Sequence, residues 1–211
     1  MPSADQDPRF WNRTARKYAA APIADAAGYE RTLQETQRRL NPADVVFEFG
    51  CGSGTTALRL APGVARMLAT DLSPEMIAIA REKAAAACCA NIAFEVGTSA
   101  AAGPDGSFDA VLGFNILHLV ADRRSTLADV RRALKPGGLF ISKTPCLSEM
   151  NPAFRVLVPL MRAIGRAPDV AFFTAAQLEQ EIAAAGFAIE ERARHGSGKR
   201  DPRVFLVARK A

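Results

Sequence analysis

The sequence is poor in the residues that build metal and thiol sites. It holds four cysteines, two histidines and one tryptophan among 211 residues. Cys51, Cys88, Cys89 and Cys146 form no C-x-x-C pair, which argues against a structural zinc site, and no metal is expected. The thiols are expected to stay reduced. Cys88-Cys89 reads as packing at a helix end; a thiophilic ligand such as arsenite, bound together with Cys51 or Cys146, is the alternative. No apolar run reaches the roughly 18 residues that a membrane-crossing helix requires. Met1 to Pro8 is polar, with two acids, and lacks the apolar core of a secretory signal, so a cytoplasmic protein is expected. The net charge is +5, but its carriers are dispersed. Arg38-Arg39, Arg123-Arg124 and Arg131-Arg132 are short pairs suited to solvated helix faces. No basic stripe interleaved with aromatics appears, which disfavours nucleic acid as a partner. Anionic substrates and peripheral membrane contact stay open.

What is present is a regular alternation. The length suits one domain with a full core, 1–211. Two helices fill 9–40, where Tyr29, Leu33, Thr36 and Leu40 share a face; residues 1–41 are read as a helical cap. Strands are predicted at 44–49, 66–71, 92–96, 108–113 and 138–143. Helices are predicted at 54–61, 74–87, 122–134 and 174–185. Ser73-Pro74-Glu75 is a good helix start, with serine as cap and proline first in the helix. Such alternation implies an α/β fold with a doubly wound parallel sheet. The end differs: 187–194 and 203–209 are consecutive strands with only the loop 196–202 between them, hence antiparallel neighbours. Residues 144–169 interrupt the pattern. They carry four prolines, an apolar run from Phe154 to Ile164, and Arg155, Arg162 and Arg166 at spacings that share one helical face. This segment is read as a lid-like insertion beside the site. Lipid or membrane-surface binding and plain core packing are the alternatives.

The most informative stretch is Val45-Val46-Phe47-Glu48-Phe49-Gly50-Cys51-Gly52-Ser53-Gly54, with Asp71 downstream. An apolar strand runs into a turn with glycine at every second position, where a backbone can approach a ligand closely. An acid ends the next strand, as a nucleoside site at the head of an α/β sheet requires. The dinucleotide fingerprint G-x-G-x-x-G does not fit. Thr55 stands where its third glycine belongs, and Glu48 would repel a pyrophosphate. An acid there suits a cationic ligand.

Glu48 to Gly54 resembles the first motif of class I S-adenosylmethionine-dependent methyltransferases. Ala69 to Ile77 resembles the second, Phe108 to His118 the fourth, and Leu134-Lys135-Pro136-Gly137-Gly138 the turn before strand five. The four stand in the family's order across roughly 42–145. The resemblance implies a Rossmann-like, seven-stranded, mainly parallel sheet with an antiparallel last strand, and S-adenosylmethionine as cofactor. It implies that Glu48 acts on the methionine ammonium through Gly50 and nearby backbone or through water. Gly50, Cys51, Gly52 and Gly54 would carry backbone along the methionine and ribose. Asp71 would accept both ribose hydroxyls, since one carboxylate has two oxygens. Leu72 and Met76 would pack on the adenine, and Asn115 would face the methionine end. Tyr18 would bond the methionine carboxylate, with Trp11 and Arg13 as further candidates in the cap. The segment Gly97-Thr98-Ser99-Ala100 departs from the family, which commonly places an acid there for the adenine amino group. Thr98 or Ser99 could accept that bond, or the Ser99 N–H could donate to the ring. His118 is the candidate general base; a helix histidine bonded to backbone is its bland alternative. The expected activity is in-line methyl transfer to an unidentified small-molecule acceptor. A non-catalytic cofactor-binding protein, or a lipid methyltransferase at a membrane surface, is the alternative.

Overall fold

The computed structural model describes residues 8–198 and 201–211; Met1–Asp7, and Lys199 and Arg200 of the loop 196–202, lie outside the described residues. Helices α1 (Arg9–Ala20) and α2 (Ala26–Gln37) precede β1 (Val45–Phe49). Then follow α3 (Thr55–Leu60), β2 (Arg66–Asp71), α4 (Pro74–Ala86), β3 (Ile92–Val96), β4 (Phe108–Phe114) and α5 (Arg123–Ala133). The chain continues through β5 (Leu134–Pro145), α6 (Phe154–Ala163), α7 (Ala175–Ala184), β6 (Phe187–Ala193) and β7 (Arg203–Lys210). The strands form one sheet in the order β3-β2-β1-β4-β5-β7-β6. β7 is antiparallel to both β5 and β6, and the other pairs are parallel. This is the seven-stranded sheet that the alternation and the final strand pair anticipate.

A parallel central strand is covered on both faces, so it needs apolar side chains on both. β1 (VVFEF) supplies them. Phe47 and Phe49 join Val111 and Phe140 beneath Leu127 of α5 and Leu178 and Ile182 of α7. Val46 joins Met67, Leu112 and Phe205 beneath Leu33, Ala57 and Ile77 of α2, α3 and α4. Local chemistry fixes the helix starts. Ser73 Oγ accepts from Met76 N–H at 3.2 Å, with Pro74 in the first turn of α4. Asp122 accepts from Ser125 N–H at 3.0 Å at the start of α5. Thr174 and Gln177 form a reciprocal capping box on α7. β1 and β4 are neighbours whose chains return on opposite sides, which leaves a crevice beyond their carboxyl ends.

Two expectations change. The segment 144–169 does contain a helix, but α6 stops at Ala163. Gly165 is left-handed at φ +68°, and Arg166 N–H donates to Met161 O at 2.8 Å, closing the helix in a C-terminal turn. Arg166 therefore lies past the helix and does not share a helical face with Arg155 and Arg162. Nor is α6 core: none of its side chains is buried.

Gly54, expected to touch a ligand, instead serves packing. It caps α3 at φ +73°, and a Cβ there would sit 2.8 Å from Ala80 Cβ and from the Phe94 ring. Gly54→Ala is expected to cost about 1–3 kcal/mol, from left-handed strain plus overpacking. Urea unfolding of the two proteins measures this; an unchanged midpoint would show that α4 and β3 yield freely there.

Candidate functional site

A cavity of about 610 Å³ opens at the carboxyl ends of β1, β2 and β4. Its floor is the turn after β1. Gly50 and Gly52 are left-handed, at φ +66° and +54°. A Cβ on Gly50 would strike Ile116 at 2.4 Å, whereas one on Gly52 would meet only Tyr18, at 3.8 Å. Gly50 is thus glycine for packing and conformation, and Gly52 keeps a face free beneath Tyr18. Asp71, at the tip of β2, ties the turn down. Its Oδ2 accepts from Gly52 N–H and its Oδ1 from Ser73 N–H, each at 2.9 Å. Each oxygen keeps a further lone pair, so the carboxylate braces the loop and can still accept from a ligand.

Glu48 points into the same region from β1. It is 2% exposed, and its Oε2 is buried with no hydrogen-bond partner. Burial first, and the negative charge of Asp71 second, push its carboxyl up to about 8. At neutral pH the group is therefore mostly protonated until a cation arrives. Burial also raises Asp71, against the lowering effect of its two backbone donors. Cys51 lines the cavity, and burial, followed by the charges of Glu48 and Asp71, raises its thiol well above the usual range. It is an inert neighbour, not a nucleophile.

The cap forms the roof. Trp11 and Tyr18 both line the cavity and meet edge to face at 5.8 Å. Tyr18 is half exposed, yet local burial of its hydroxyl and then the Asp71 charge raise its pKa, so it stays a neutral donor. Asn12 Oδ1 accepts from Ser73 Oγ at 2.6 Å, which pins α1 over the start of α4. Arg13 donates to Gly165 O at 2.6 Å, joining the cap to the end of α6. That contact uses the guanidinium considered above for a methionine carboxylate.

The far walls come from other segments. Leu72 and Met76 line one side, with Met76 also packed against Ala15 and Ile79. Thr98 and Ser99 line the wall after β3. Asn115 lines the cavity with φ +53°, its N–H donating to Lys143 O at 2.7 Å. His118 is not brought into the cavity. The left-handed Asn115 turns the chain so that Ile116 and Leu119 line it, while Leu117 enters the core. The His118 Nδ1 is buried without a partner, and burial pushes the ring down to about 4, so it remains neutral. Gly54 is likewise off the cavity. Sequence reasoning missed the contribution of α5, whose Asp122, Ser125, Thr126 and Asp129 face the cavity, and of the Arg162–Asp169 ion pair at 2.6 Å. The helical period of 122, 125, 126 and 129 was the available signal.

Residues 46–138 match a family model described as a methyltransferase domain. A demethylmenaquinone methyltransferase of Symbiobacterium thermophilum is 30% identical over 156 residues, covering 70% of this chain and 61% of the relative. A ubiquinone biosynthesis O-methyltransferase of Xanthomonas axonopodis pv. citri is 34% identical over 113 residues, covering 52% of this chain and 47% of the relative. The chain thus spans less than two thirds of either relative's length. Among solved structures, the [4+2]-cyclase SpnF superposes with a TM-score of 0.78 at 18% identity, over 100% of this chain and 97% of its own. That likeness shows the fold alone. S-adenosylmethionine fits the residues present: Glu48 has a buried oxygen without a partner, Asp71 keeps lone pairs beyond its two backbone donors, and Gly52 leaves open space above it.

Asp71→Ala is expected to weaken S-adenosylmethionine binding roughly 10–100-fold, the scale of a lost charged hydrogen-bond pair; titration calorimetry reads it, and an unchanged dissociation constant would remove Asp71 from the site. A cationic ligand favours the Glu48 carboxylate, so the bound pKa lies below the free one and binding releases a proton. Affinity should therefore rise with pH up to about 8 and then level. Glu48→Gln should flatten this profile, and calorimetry in two buffers of different ionisation enthalpy should lose the proton release. A pH-sloped profile in the glutamine variant would assign the titration elsewhere.

Proposed function

We propose that this chain, which belongs to the class I S-adenosylmethionine-dependent methyltransferases, transfers the methyl group to a small, largely apolar acceptor with a ring hydroxyl or ring carbon of quinol type. One observation carries this reading. Besides Glu48, Asp71 and the glycine turn, the lining of the cavity of about 610 Å³ includes the apolar side chains of Leu119, Val120, Ala167 and Pro168. A protein that only bound the cofactor would need no such space. The names of the relatives, acting in menaquinone and ubiquinone pathways, support the acceptor class.

The cofactor supplies an electrophilic methyl carbon on a sulfonium. The residues supply position, which is worth about 7–11 kcal/mol of barrier in well-oriented systems. Glu48, ionised by the bound cation, and Asp71 fix the donor from below. Trp11 and Tyr18 close over it, and the apolar wall holds the acceptor and excludes water. S-adenosylmethionine, held by Glu48 and Asp71, would supply the methyl group, and the apolar wall would hold the accepting oxygen or ring carbon in line with it. A hydroxyl acceptor gives its proton to solvent or to a group it brings. His118, neutral and walled off, serves here as packing, and we assign it no proton transfer.

A specific observation favours action beside a lipid surface. On α6, Val156 and Leu160 are 74% and 62% exposed, and Ile164, just past its end, is 61% exposed. They form one outward stripe on the segment read as a lid, next to Arg155 and to Arg166 beyond the helix. Such a stripe suits the boundary of an anionic bilayer, from which a quinol would be drawn.

The test is release of S-adenosylhomocysteine from S-adenosylmethionine in the presence of demethylated quinols, in detergent and in anionic vesicles. Turnover is expected with a quinol and not with NAD-linked substrates; tight NAD binding without S-adenosylmethionine binding would overturn the reading. Leu160→Asp should reduce pelleting with anionic vesicles and slow turnover of a vesicle-borne quinol several-fold. A short-chain soluble quinol should be turned over as before. Equal loss on both acceptors would refute the surface role.

A further inference from the structure

The wall after β3 lacks the acid that would read an adenine amino group, yet a carboxylate of α5 that also lines the cavity, Asp129, is bonded to it. Ser99 is 5% exposed and lines the cavity. Its hydroxyl donates to Asp129 Oδ2 at 2.9 Å. A carboxylate can only accept, so the direction of this bond is fixed. The serine proton is thereby committed to Asp129, and Oγ is left to a ligand only as an acceptor. Thr98 is placed differently. Its Oγ1 accepts from Ala100 N–H at 3.2 Å and its own carbonyl from Thr70 Oγ1 at 3.4 Å, so its acceptors serve the local turn. Asp129 is held in turn. Arg132 lies 3.7 Å from its Oδ1, and the same guanidinium donates to Gly103 O and Asp105 Oδ1, each at 3.1 Å. Of the two acids that α5 turns to the cavity, Asp122 is spent on the helix cap. Asp129 is available.

We infer that Ser99, set as a hydrogen-bond acceptor by Asp129, reads the exocyclic amino group of the adenine, and that this pair replaces the acid after β3. The inference rests on the proposal that the cavity holds S-adenosylmethionine. Ser99 is the reader and Asp129 a positioning residue that acts through it. A ligand with oxygen at the same ring position brings an acceptor to an acceptor. The hydroxyl can turn to meet it only by abandoning Asp129, which leaves the carboxylate short of a partner. Discrimination against the oxygen analogue is therefore the signature, because a site built around a polar partner rejects a ligand that cannot supply it.

The experiment is calorimetric binding of S-adenosylhomocysteine and S-inosylhomocysteine to the full chain, with melting curves to confirm folding. The wild type should prefer the adenine ligand by at least about tenfold. Ser99→Ala removes the acceptor, and Asp129→Asn frees the serine proton, because an amide nitrogen can donate to Oγ. In both variants the preference should fall to within about threefold of parity, the asparagine variant chiefly by gaining affinity for the inosine ligand. Asp129→Glu should restore part of it. If both ligands weaken together while their ratio stays at the wild-type value, Asp129 is merely structural and the inference is overturned. If the wild type binds neither ligand, the cofactor reading itself fails, and this inference with it. Because the readout is a ratio within one variant, partial destabilisation does not imitate the expected result.

Discussion

The site is organised around two carboxyl groups held close together out of water. Glu48 sits in β1, an interior strand of a sheet packed on both faces, and Asp71 at the tip of neighbouring β2. Neither has a cationic side chain as partner in the cavity floor. Burial, and then the charge of Asp71, oppose double ionisation and raise the Glu48 carboxyl to about 8. A ligand bearing positive charge relieves both costs together. A dinucleotide, with negative charge in the corresponding place, would aggravate them. The choice of cofactor is thus an electrostatic property of β1 and β2 before any shape is considered, and Asp71 also holds the floor through Gly52.

The rest of the architecture closes this pair off. The crossover at β1 and β4 leaves the carboxyl ends open, and no strand covers them. Cover comes from α1, pinned by Asn12 to the cap of α4 and by Arg13 to the end of α6. These two contacts touch different elements, so α1 links the donor side of the cavity to the segment before α7. Arg162 and Asp169, both on the cavity, belong to that same segment.

Much of this was legible in the chain. The glycine spacing with Glu48 and Asp71 depends on neighbours within one strand–turn–strand unit, and such local patterns survive in sequence. The parallel character of the sheet followed from alternation and the antiparallel final pair from the absence of a helix between 187–194 and 203–209; the seven-stranded form with its inserted last strand was what the family resemblance implied. What escaped depends on contacts between distant residues or on a single backbone torsion. Gly54 looks like Gly50 and Gly52 in a motif, but Ala80 and Phe94 decide its role. His118 looks well placed three residues after Asn115. A left-handed Asn115, which no composition signal announces, turns it behind the wall. Arg166 seemed to continue a helical face because period counting is blind to the turn at Gly165.

The same logic explains why a missing motif residue need not mean a missing function. At positions 98 and 99 the sequence offers a hydroxyl that could accept or a Ser99 N–H that could donate, and a hydroxyl alone has no fixed direction. The hydrogen bond from Ser99 to Asp129 removes that ambiguity by consuming the proton. A hydroxyl so committed has the direction of a carboxylate without its charge. The difference matters in this cavity, where a third unpaired carboxylate at the ligand surface would add to the repulsion already borne by Glu48 and Asp71. Asp129, also on the cavity, has its charge partnered by Arg132 and by the Ser99 hydroxyl, and through that bond it fixes the direction of the hydroxyl.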